Sequence, residues 1–343
     1  MKRALLLLAL APLATSSAFA REYQVLELPP LAAQNAGAKP ATAAYALSNR
    51  AGDDEAGAYV VGMSGNRAVR WTVKGGSVGA PEDLGTPASA ASAAYGVNDE
   101  GHAVGTAGGN AFFWNPSARS PFQLIPAPPS VHCSVAQGIN DHDMTAGNCT
   151  ELKNRLSWAF GWAPGGALIL YKGDSQSTRG SQAFAINAEG VIAGAAEARP
   201  ADRGAVVVQA YKWNAGALRI GALAGKLGGL GQATSYGIND RQDLVGESEG
   251  QAFVALRGAQ PASLGFQGVA RGINHGRTAV GEMADGHAFV KPVNGQAEDL
   301  NTLLSRGSGL TLESAYAIND RGWIAGVGTL TDGTKRGFLL IPE

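Results

Sequence analysis

The sequence has few charged side chains and no excess of basic ones. Charged residues make up 16% of the chain, with 27 Lys and Arg against 28 Asp and Glu. Nucleic-acid binding takes much of its affinity from basic side chains that neutralise phosphates. The charge balance therefore argues against a nucleic-acid partner.

Long apolar runs are also missing beyond the first 20 residues. A basic start, Lys2 and Arg3, precedes an apolar stretch over residues 4–14 that is too short to span a bilayer, and a small-x-small cleavage pattern follows at residues 18–20. This order of features predicts a signal peptide over residues 1–20. We expect an exported protein, periplasmic or extracellular, with no membrane span.

Only two cysteines are present, Cys133 and Cys149. An even count favours a disulfide in an oxidising compartment, and the spacing is not the Cys-x-x-Cys of a redox pair. The two cysteines flank one predicted hairpin turn at Asn140 and should lie nearly opposite each other across two strands. The sequence therefore predicts a cross-strand disulfide.

Glycine, in contrast, is abundant and recurs within a repeated motif. Many of the 48 glycines fall in the pattern Ala-x-small-(Ile/Val)-Asn-x-x-Gly, followed by an apolar pair and another Gly. The seven copies are centred on Asn49, Asn98, Asn140, Asn187, Asn239, Asn274 and Asn319. Their mean spacing of 45 residues is typical of propeller blades. The first copy is degenerate, with Ser48 in the place of the Ile.

The pattern of each repeat predicts four short strands. A second motif, Ala-aromatic-x-Trp, follows the first, as at residues 111–114 and 159–162, and turn residues separate the alternating segments. The Asn-x-x-Gly turn suits a type I turn closed by a left-handed residue. The residue three before each Asn should share a face with the Ile or Val just before it, namely Tyr95, Gln137, Phe184, Tyr236, Arg271 and Tyr316.

The two ends suggest how the repeats close. The last repeat lacks a fourth strand, and residues 23–28 form an orphan strand before the first repeat. We predict an all-β fold: a seven-bladed β-propeller of four-stranded antiparallel blades, one domain over residues 21–343, closed by the N-terminal strand completing the C-terminal blade. An open solenoid would need polar end caps, which the sequence does not show.

The repeats resemble a known group. The alternation of Ala-x-x-Ile-Asn-x-x-Gly-x-Val-Gly with Ala-Phe-x-Trp and Asp-Leu-Gly is similar to the HAF repeat family of bacterial extracellular proteins, most closely around Asn98, Asn239 and Asn319. The resemblance covers about residues 23–342. It implies an extracytoplasmic location and no assigned activity. The chain departs from the family pattern at Ser48 and at Asp143, which stands where Gly is usual.

The sequence offers no catalytic, cofactor-binding or metal-binding motif. The five histidines have no metal-ligand spacing, residues 225–231 lack the Gly-Lys-Ser/Thr ending of a phosphate loop, and no Gly-x-Ser-x-Gly elbow occurs. Calcium at the Asn-Asp turns is an alternative to simple turn capping, but each turn supplies too few oxygens.

The connections at the end of the blades opposite the Asn turns vary in length, and binding functions often lie on such loops. Their charged residues are our candidates for a binding surface: Glu151, Lys153, Arg155, Arg199, Asp202, Arg203, Lys335 and Arg336. We expect a monomeric, non-enzymatic binding or scaffold protein that engages a protein or glycan through this face. The alternative is a propeller enzyme acting on a polysaccharide or cell-wall glycan at the central channel, since the fold supports both.

Overall fold

The described part of the chain is almost entirely β-structure. The computed structural model describes residues 22–32, 40–87, 90–172, 178–198, 207–214, 220–222 and 232–343. They contain 28 strands and one short 3-10 turn, Leu300–Leu303. Within these ranges no helix is long and apolar enough to cross a bilayer. The predicted signal peptide and the candidate residues Arg199, Asp202 and Arg203 lie outside the described residues.

The described strands form seven antiparallel blades, numbered here along the chain, each running from an inner to an outer strand. Blades 1 to 4 consist of β2 (Thr42–Leu47), β3 (Ala58–Ser64), β4 (Arg67–Lys74) and β5 (Ser77–Val78), with β6 (Glu82–Asp83) also paired to β4; β7 (Ser92–Val97), β8 (Ala103–Ala107), β9 (Asn110–Trp114) and β10 (Phe122–Leu124); β11 (Val131–Ile139), β12 (Thr145–Glu151), β13 (Ser157–Trp162) and β14 (Ile169–Tyr171); and β15 (Thr178–Ile186), β16 (Val191–Ala198), β17 (Val207–Asn214) and β18 (Ile220–Ala222). Blades 5 to 7 consist of β19 (Ala233–Ile238), β20 (Leu244–Ser248), β21 (Gln251–Ala255) and the first half of β22 (Ala262–Ile273); the second half of β22, β23 (Ala279–Met283), β24 (Ala288–Lys291) and β25 (Glu298–Asp299); and β26 (Leu310–Ile318), β27 (Ile324–Leu330), β28 (Lys335–Pro342) and β1 (Tyr23–Glu27).

The N-terminal strand completes the C-terminal blade, as the sequence predicts. Strand β1 pairs antiparallel with β28, from Tyr23 opposite Pro342 to Glu27 opposite Phe338. This pairing supplies the fourth strand that the last repeat lacks, and it joins the two ends of the chain within one sheet.

Blades 5 and 6 share one long strand. The first half of β22 pairs with β21 and the second half with β23, so the strand changes sheet near Gly268. Gly268 has φ +154°, and a Cβ there would lie 2.4 Å from the carbonyl oxygen of Glu282. Only glycine fits this crossover without strain.

Each inner strand carries a β-bulge at the same point. The register shifts fall between Ala44/Ala46, Ala94/Gly96, Ala136/Gly138, Ala183/Ala185, Ser235/Gly237, Ala270/Gly272 and Ala315/Ala317. The partner strand has glycine beside the bulge, and a Cβ on Gly281 would lie 1.9 Å from the carbonyl oxygen of Val269. The second Gly of the repeat is therefore required by the close approach of the bulged backbone.

The core of the protein lies between adjacent blades. Among the described residues, seven clusters of buried apolar side chains each join two neighbouring blades, including blades 7 and 1 through Leu28, Trp71 and Leu339. The aromatic residues of the second motif supply the bulk: Phe112, Phe160, Phe289 and Phe338 are completely buried. Apolar burial at every blade interface, including the closing one, favours the closed ring over an open array.

Candidate functional site

The Asn side chains of the repeat join the inner ends of neighbouring blades at six of the seven seams. Asn98 Nδ2 donates to the carbonyl oxygen of Asn140 in the next blade at 3.1 Å, and Asn98 Oδ1 accepts from the N–H of His102 in its own turn. The same bond to the next blade is made by Asn140, Asn187, Asn239, Asn274 and Asn319. Sequence reasoning predicted the bond within the turn and missed the bond between blades. The sequence did contain a sign of this second bond. Six repeats have Asn at this position and none has Asp, and an ionised Asp could accept the bond within the turn but could not donate to the next blade.

The first repeat aligns one residue earlier than the sequence analysis placed it. Asn319 Nδ2 donates to the carbonyl oxygen of Ser48, so Ser48 occupies the position of the repeat Asn and Leu47 that of the Ile. The bulge at Ala44/Ala46 gives the same alignment. The alignment on Asn49 was therefore wrong: its side chain accepts from the N–H of Asp320, as the residue after the Asn does in other repeats.

The fourth residue of each Asn turn has a left-handed backbone, as expected. Gly101, Gly190 and Gly322 have φ between +77° and +79°, and Asp143, Gln242 and Arg277 have φ between +58° and +64°. Three turns thus hold a side chain where glycine is favoured. All three side chains bond a neighbouring blade: Asp143 accepts from Asn98, Gln242 donates to Glu189, and Arg277 pairs with Asp243.

The Asn turns surround the mouth of the central channel. A cavity of about 200 Å³ lies there, and four carboxylates line it: Asp99, Asp141, Asp240 and Asp320. Each accepts a backbone N–H of the neighbouring blade, from Asn49, Asp99, Ala188 and His275 respectively, at 2.8–2.9 Å. Burial and the charge of Asp141 raise the pKa of Asp99. These carboxylates are fixed by the seams between blades.

No metal centre is found among the residues that the structure describes. They contain no group of three or more His, Cys, Asp and Glu side chains placed to hold a metal ion. His102 and His287 each pair with a carboxylate instead, Asp143 at 2.6 Å and Asp299 at 2.7 Å. The calcium alternative has no ligand set in these ranges and stays an untested prediction.

Deeper in the channel lies a second constellation, which we call the channel ring: Tyr45, Tyr95, Gln137, Phe184, Tyr236, Arg271 and Tyr316. One side chain comes from each blade, and each is the extra residue of its bulge. The channel ring lines a cavity of about 220 Å³ together with the Ile, Leu and Val side chains before the Asn turns. The residues three before and one before each Asn therefore share a face, as predicted. The bulge directs the longer side chains, those three before the Asn, into the channel.

The channel ring is held by contacts between its own members. The centroid of the Tyr45 ring lies 5.1 Å from that of the Tyr95 ring and 5.2 Å from that of the Tyr316 ring. The guanidinium of Arg271 lies 4.9 Å from the Tyr316 centroid, and its Nη2 bonds Glu282 at 2.7 Å. Burial raises the pKa of Tyr45 to about 12 and raises that of Tyr95 as well. The phenols therefore stay protonated at neutral pH.

The predicted binding residues lie at the opposite end of the blades, but they differ in exposure. Lys153 and Arg155 are exposed. Glu151 pairs with Lys172 at 2.9 Å, and Lys335 pairs with Glu313. Arg336 is 3% exposed and lies against the carbonyl oxygen of Pro40, so it offers little surface to a partner.

A cleft between blades 3 and 4 opens on this variable-loop face. It has a volume of about 190 Å³, and we call it the blade 3–4 cleft. Its lining is formed by Arg155, Leu156, Ser157, Arg179, Gly180, Ser181, Gln182, Ala195, Ala196, Glu197 and Val208. Sequence reasoning named Arg155 but not Arg179, which lies at the start of β15 and lines the same cleft.

The predicted disulfide is confirmed and lies near this cleft. Cys133 in β11 and Cys149 in β12 are directly opposite each other and bonded. The bond ties the inner two strands of blade 3, and Arg155 lies in the connection that follows β12. Blade 3, which forms one side of the cleft, is therefore stabilised by a disulfide.

Comparison with solved structures identifies the fold. The chain is similar to YCF48 bound to D1 peptide, with a TM-score of 0.55 at 8% identity over 94% of this chain and 97% of that one. It is also similar to the β-propeller domain of Myceliophteria thermophila Cps50 (Swd1), with a TM-score of 0.51 at 11% identity over 93% and 99% of the two chains.

No family model matches the chain, and no curated protein matches it. The resemblance to HAF repeats therefore stays a prediction. At these low identities, the likeness to solved structures concerns the fold alone, and it places this chain among the β-propellers.

Proposed function

We propose that this protein is an exported, non-enzymatic binding protein that holds an acidic segment of a protein partner in the blade 3–4 cleft. The observation that carries the proposal is the pair Arg155 and Arg179. Both side chains are exposed at one cleft, and neither has an ion-pair partner among the described residues. A guanidinium pair of this kind suits carboxylates, which each arginine can bind through two parallel hydrogen bonds.

The surroundings of the cleft favour an acidic partner. Lys153 lies two residues before Arg155 in the same connection and adds a cation. Lys172 and Glu151 neutralise each other, and Glu197 is the acid in the lining of the cleft. The cations thus outnumber the acids here, although the whole chain has a formal net charge of −1. A local excess of this sign steers an acidic segment to the cleft.

An apolar contact is available beside the charges. Leu152 is 52% exposed at the tip of the β12–β13 connection, next to Lys153. A partner segment with apolar and acidic residues would bury this side chain while its carboxylates meet Arg155 and Arg179. Burial of an apolar anchor within a polar rim is the usual arrangement of protein interfaces.

The fold and the predicted export are compatible with this proposal. YCF48, which shares the fold, is described as bound to a peptide. The predicted signal peptide and the disulfide support a location outside the cytoplasm. The partner that we propose is defined by its chemistry, as an acidic peptide segment.

The contacts of the carboxylates at the channel mouth argue against the alternative function, glycan hydrolysis. Glycan hydrolysis needs one carboxyl group to act as acid and another as base or nucleophile. The four mouth carboxylates instead accept backbone N–H groups of neighbouring blades. Moving one of them toward a substrate would leave a seam donor unpaired.

Fluorescence anisotropy with a labelled decapeptide of alternating Glu and Leu tests the proposal. We expect salt-sensitive binding, weakened about tenfold or more by Arg155→Ala/Arg179→Ala, since two charge-assisted contacts are lost. Lys335→Ala is the matched control, because Lys335 lies on the same face and is already paired with Glu313. Equal binding of a Lys and Leu decapeptide, or no effect of the double variant, would contradict the proposal.

A further inference from the structure

The channel ring has the properties of a second, separate binding site. None of its seven side chains is buried; all are half-buried around a cavity of about 220 Å³. A dry cavity of about 150 Å³ accommodates a benzene molecule. The space in the channel is therefore large enough for one six-membered ring with substituents.

The wall of this cavity is electrically neutral. Burial raises the pKa of Tyr45, Tyr95 and Tyr236, so these three hydroxyls carry no charge at neutral pH. The single cation, Arg271, is paired with Glu282 at 2.7 Å. A wall of this kind has no net charge with which to select an ion, and it favours an uncharged ligand.

Three polar groups of the channel ring lack a hydrogen-bond partner within the described ranges of the chain. Among the described residues, the hydroxyls of Tyr95 and Tyr316 and the amide of Gln137 make no hydrogen bond. By comparison, the Tyr45 hydroxyl lies 3.2 Å from the sulfur of Met63. The three groups come from blades 7, 2 and 3, so they approach the cavity from different directions.

The aromatic members leave one polar gap. Contacts run continuously from Tyr95 through Tyr45, Tyr316, Arg271 and Tyr236 to Phe184. Gln137 stands alone between Phe184 and Tyr95. The cavity thus combines aromatic faces with an amide that can donate and accept.

We propose that the channel ring binds a neutral monosaccharide unit. The C–H face of a pyranose carries a small positive charge and packs on the electron-rich face of a tyrosine. The hydroxyls of the sugar point outward in several directions. They could therefore meet the unpartnered groups of Tyr95, Tyr316 and Gln137, which approach the cavity from three different blades. Sites with aromatic walls and a few placed polar groups are typical of small-ligand binding. This inference does not depend on the peptide site, which lies in the blade 3–4 cleft.

Saturation-transfer NMR on the full mature protein tests the inference with glucose, galactose and N-acetylglucosamine at millimolar concentration. We expect transfer to the ring protons of at least one sugar. Gln137→Leu should weaken its binding about tenfold, because one hydrogen-bonding group is lost at little change in volume. Gln123→Leu is the control, since Gln123 is exposed on an outer strand.

A second variant keeps the test decisive if Gln137→Leu fails to fold. Tyr95→Phe/Tyr316→Phe removes two oxygen atoms and keeps the aromatic faces, and it should also weaken sugar binding about tenfold. Arg155→Ala/Arg179→Ala should leave sugar binding unchanged. The inference is overturned if no sugar gives transfer, if the channel variants bind as the wild type does, or if choline or acetate displaces the sugar.

Discussion

Asn319 Nδ2 donates a hydrogen bond to the carbonyl oxygen of Ser48 at 3.1 Å, joining residues 271 positions apart in the chain. This bond crosses the seam between blades 7 and 1, where the two ends of the chain meet. Asn319 is 2% exposed, so the bond is shielded from water. It acts together with the pairing of β1 and β28 to close the propeller.

Asn319→Asp should destabilise the closed ring. The substitution turns a donor into a carboxylate that faces a carbonyl oxygen in a buried site, and we expect a loss of about 2 kcal/mol in the free energy of unfolding. Acidification should recover part of this loss, because the buried position raises the pKa of the new carboxyl and protonation restores a donor. Urea denaturation measures both effects. Asn294→Asp, at an exposed turn, should change stability little; an equal loss in the two variants would argue against the closing role.

Gly281→Ala should destabilise blade 6, because Gly281 in β23 lies against the bulge of the inner strand. The added methyl group would lie 1.9 Å from the carbonyl oxygen of Val269 and 2.9 Å from Phe289, both within the packed blade. Overpacking of this kind costs about 1–3 kcal/mol. Gly307→Ala is the control, because a Cβ at Gly307 meets nothing within 4 Å. Thermal unfolding of both variants gives the comparison, and a stable Gly281→Ala protein would show that the bulge is not a fixed feature.

The repeats made the fold predictable, whereas the bulges were hidden. The repeat spacing indicates the blades, the orphan strand before the first repeat indicates the closing pair, and the two cysteines that flank one turn indicate the disulfide. A bulge adds one residue without changing the repeat, so nothing in the sequence marks Tyr95 as the unpaired residue between Ala94 and Gly96. The position of Ser48 was hidden because its neighbour Asn49 has the residue type of the motif, whereas Ser48 accepts the bond between blades through its carbonyl oxygen.

The site was predictable only in part, because loop charges do not reveal their partners. Arg155 lines the blade 3–4 cleft, as a variable-loop residue should. Arg336 has the same character in the sequence, but it is buried beside Pro40. Arg179 was missed because it lies at the beginning of a strand and not in the middle of a loop.

Loss of the disulfide should weaken blade 3. Cys133 and Cys149 are 16 residues apart, and a disulfide closing a loop of that length contributes about 3 kcal/mol. We expect Cys133→Ala/Cys149→Ala to lower the unfolding midpoint in urea. Reductant should lower the midpoint of the wild type in the same way and leave that of the double variant unchanged. A wild type that is insensitive to reductant while unfolding would contradict the prediction.

The seam between blades 5 and 6 should be sensitive to acid. Burial opposes ionisation of Asp243, but hydrogen bonds from Arg277, the Arg257 N–H and Asn239 outweigh it and hold the pKa of Asp243 below its usual value. A lowered pKa in the folded state adds stability above about pH 4, and this stability is lost as the pH falls through the folded-state value.

Arg277→Gln tests this seam. It should cost about 2 kcal/mol near neutral pH and less in acid, where Asp243 is protonated and needs no cation. Arg306→Gln, at an exposed site, is the control. Urea midpoints measured across the acid range give the result. A loss that does not depend on pH would mean that Arg277 acts by packing and not by its charge.

We expect the variable-loop face, and not the face of the Asn turns, to bind the partner. Hydrogen–deuterium exchange of the protein with and without the Glu and Leu decapeptide tests it most directly. Peptide binding should slow the exchange of amides over residues 151–157 and 178–182, where Arg155 and Arg179 line the blade 3–4 cleft. Slower exchange confined to the turn over residues 98–102 and its equivalents would contradict it, as would peptide binding that leaves the cleft unprotected.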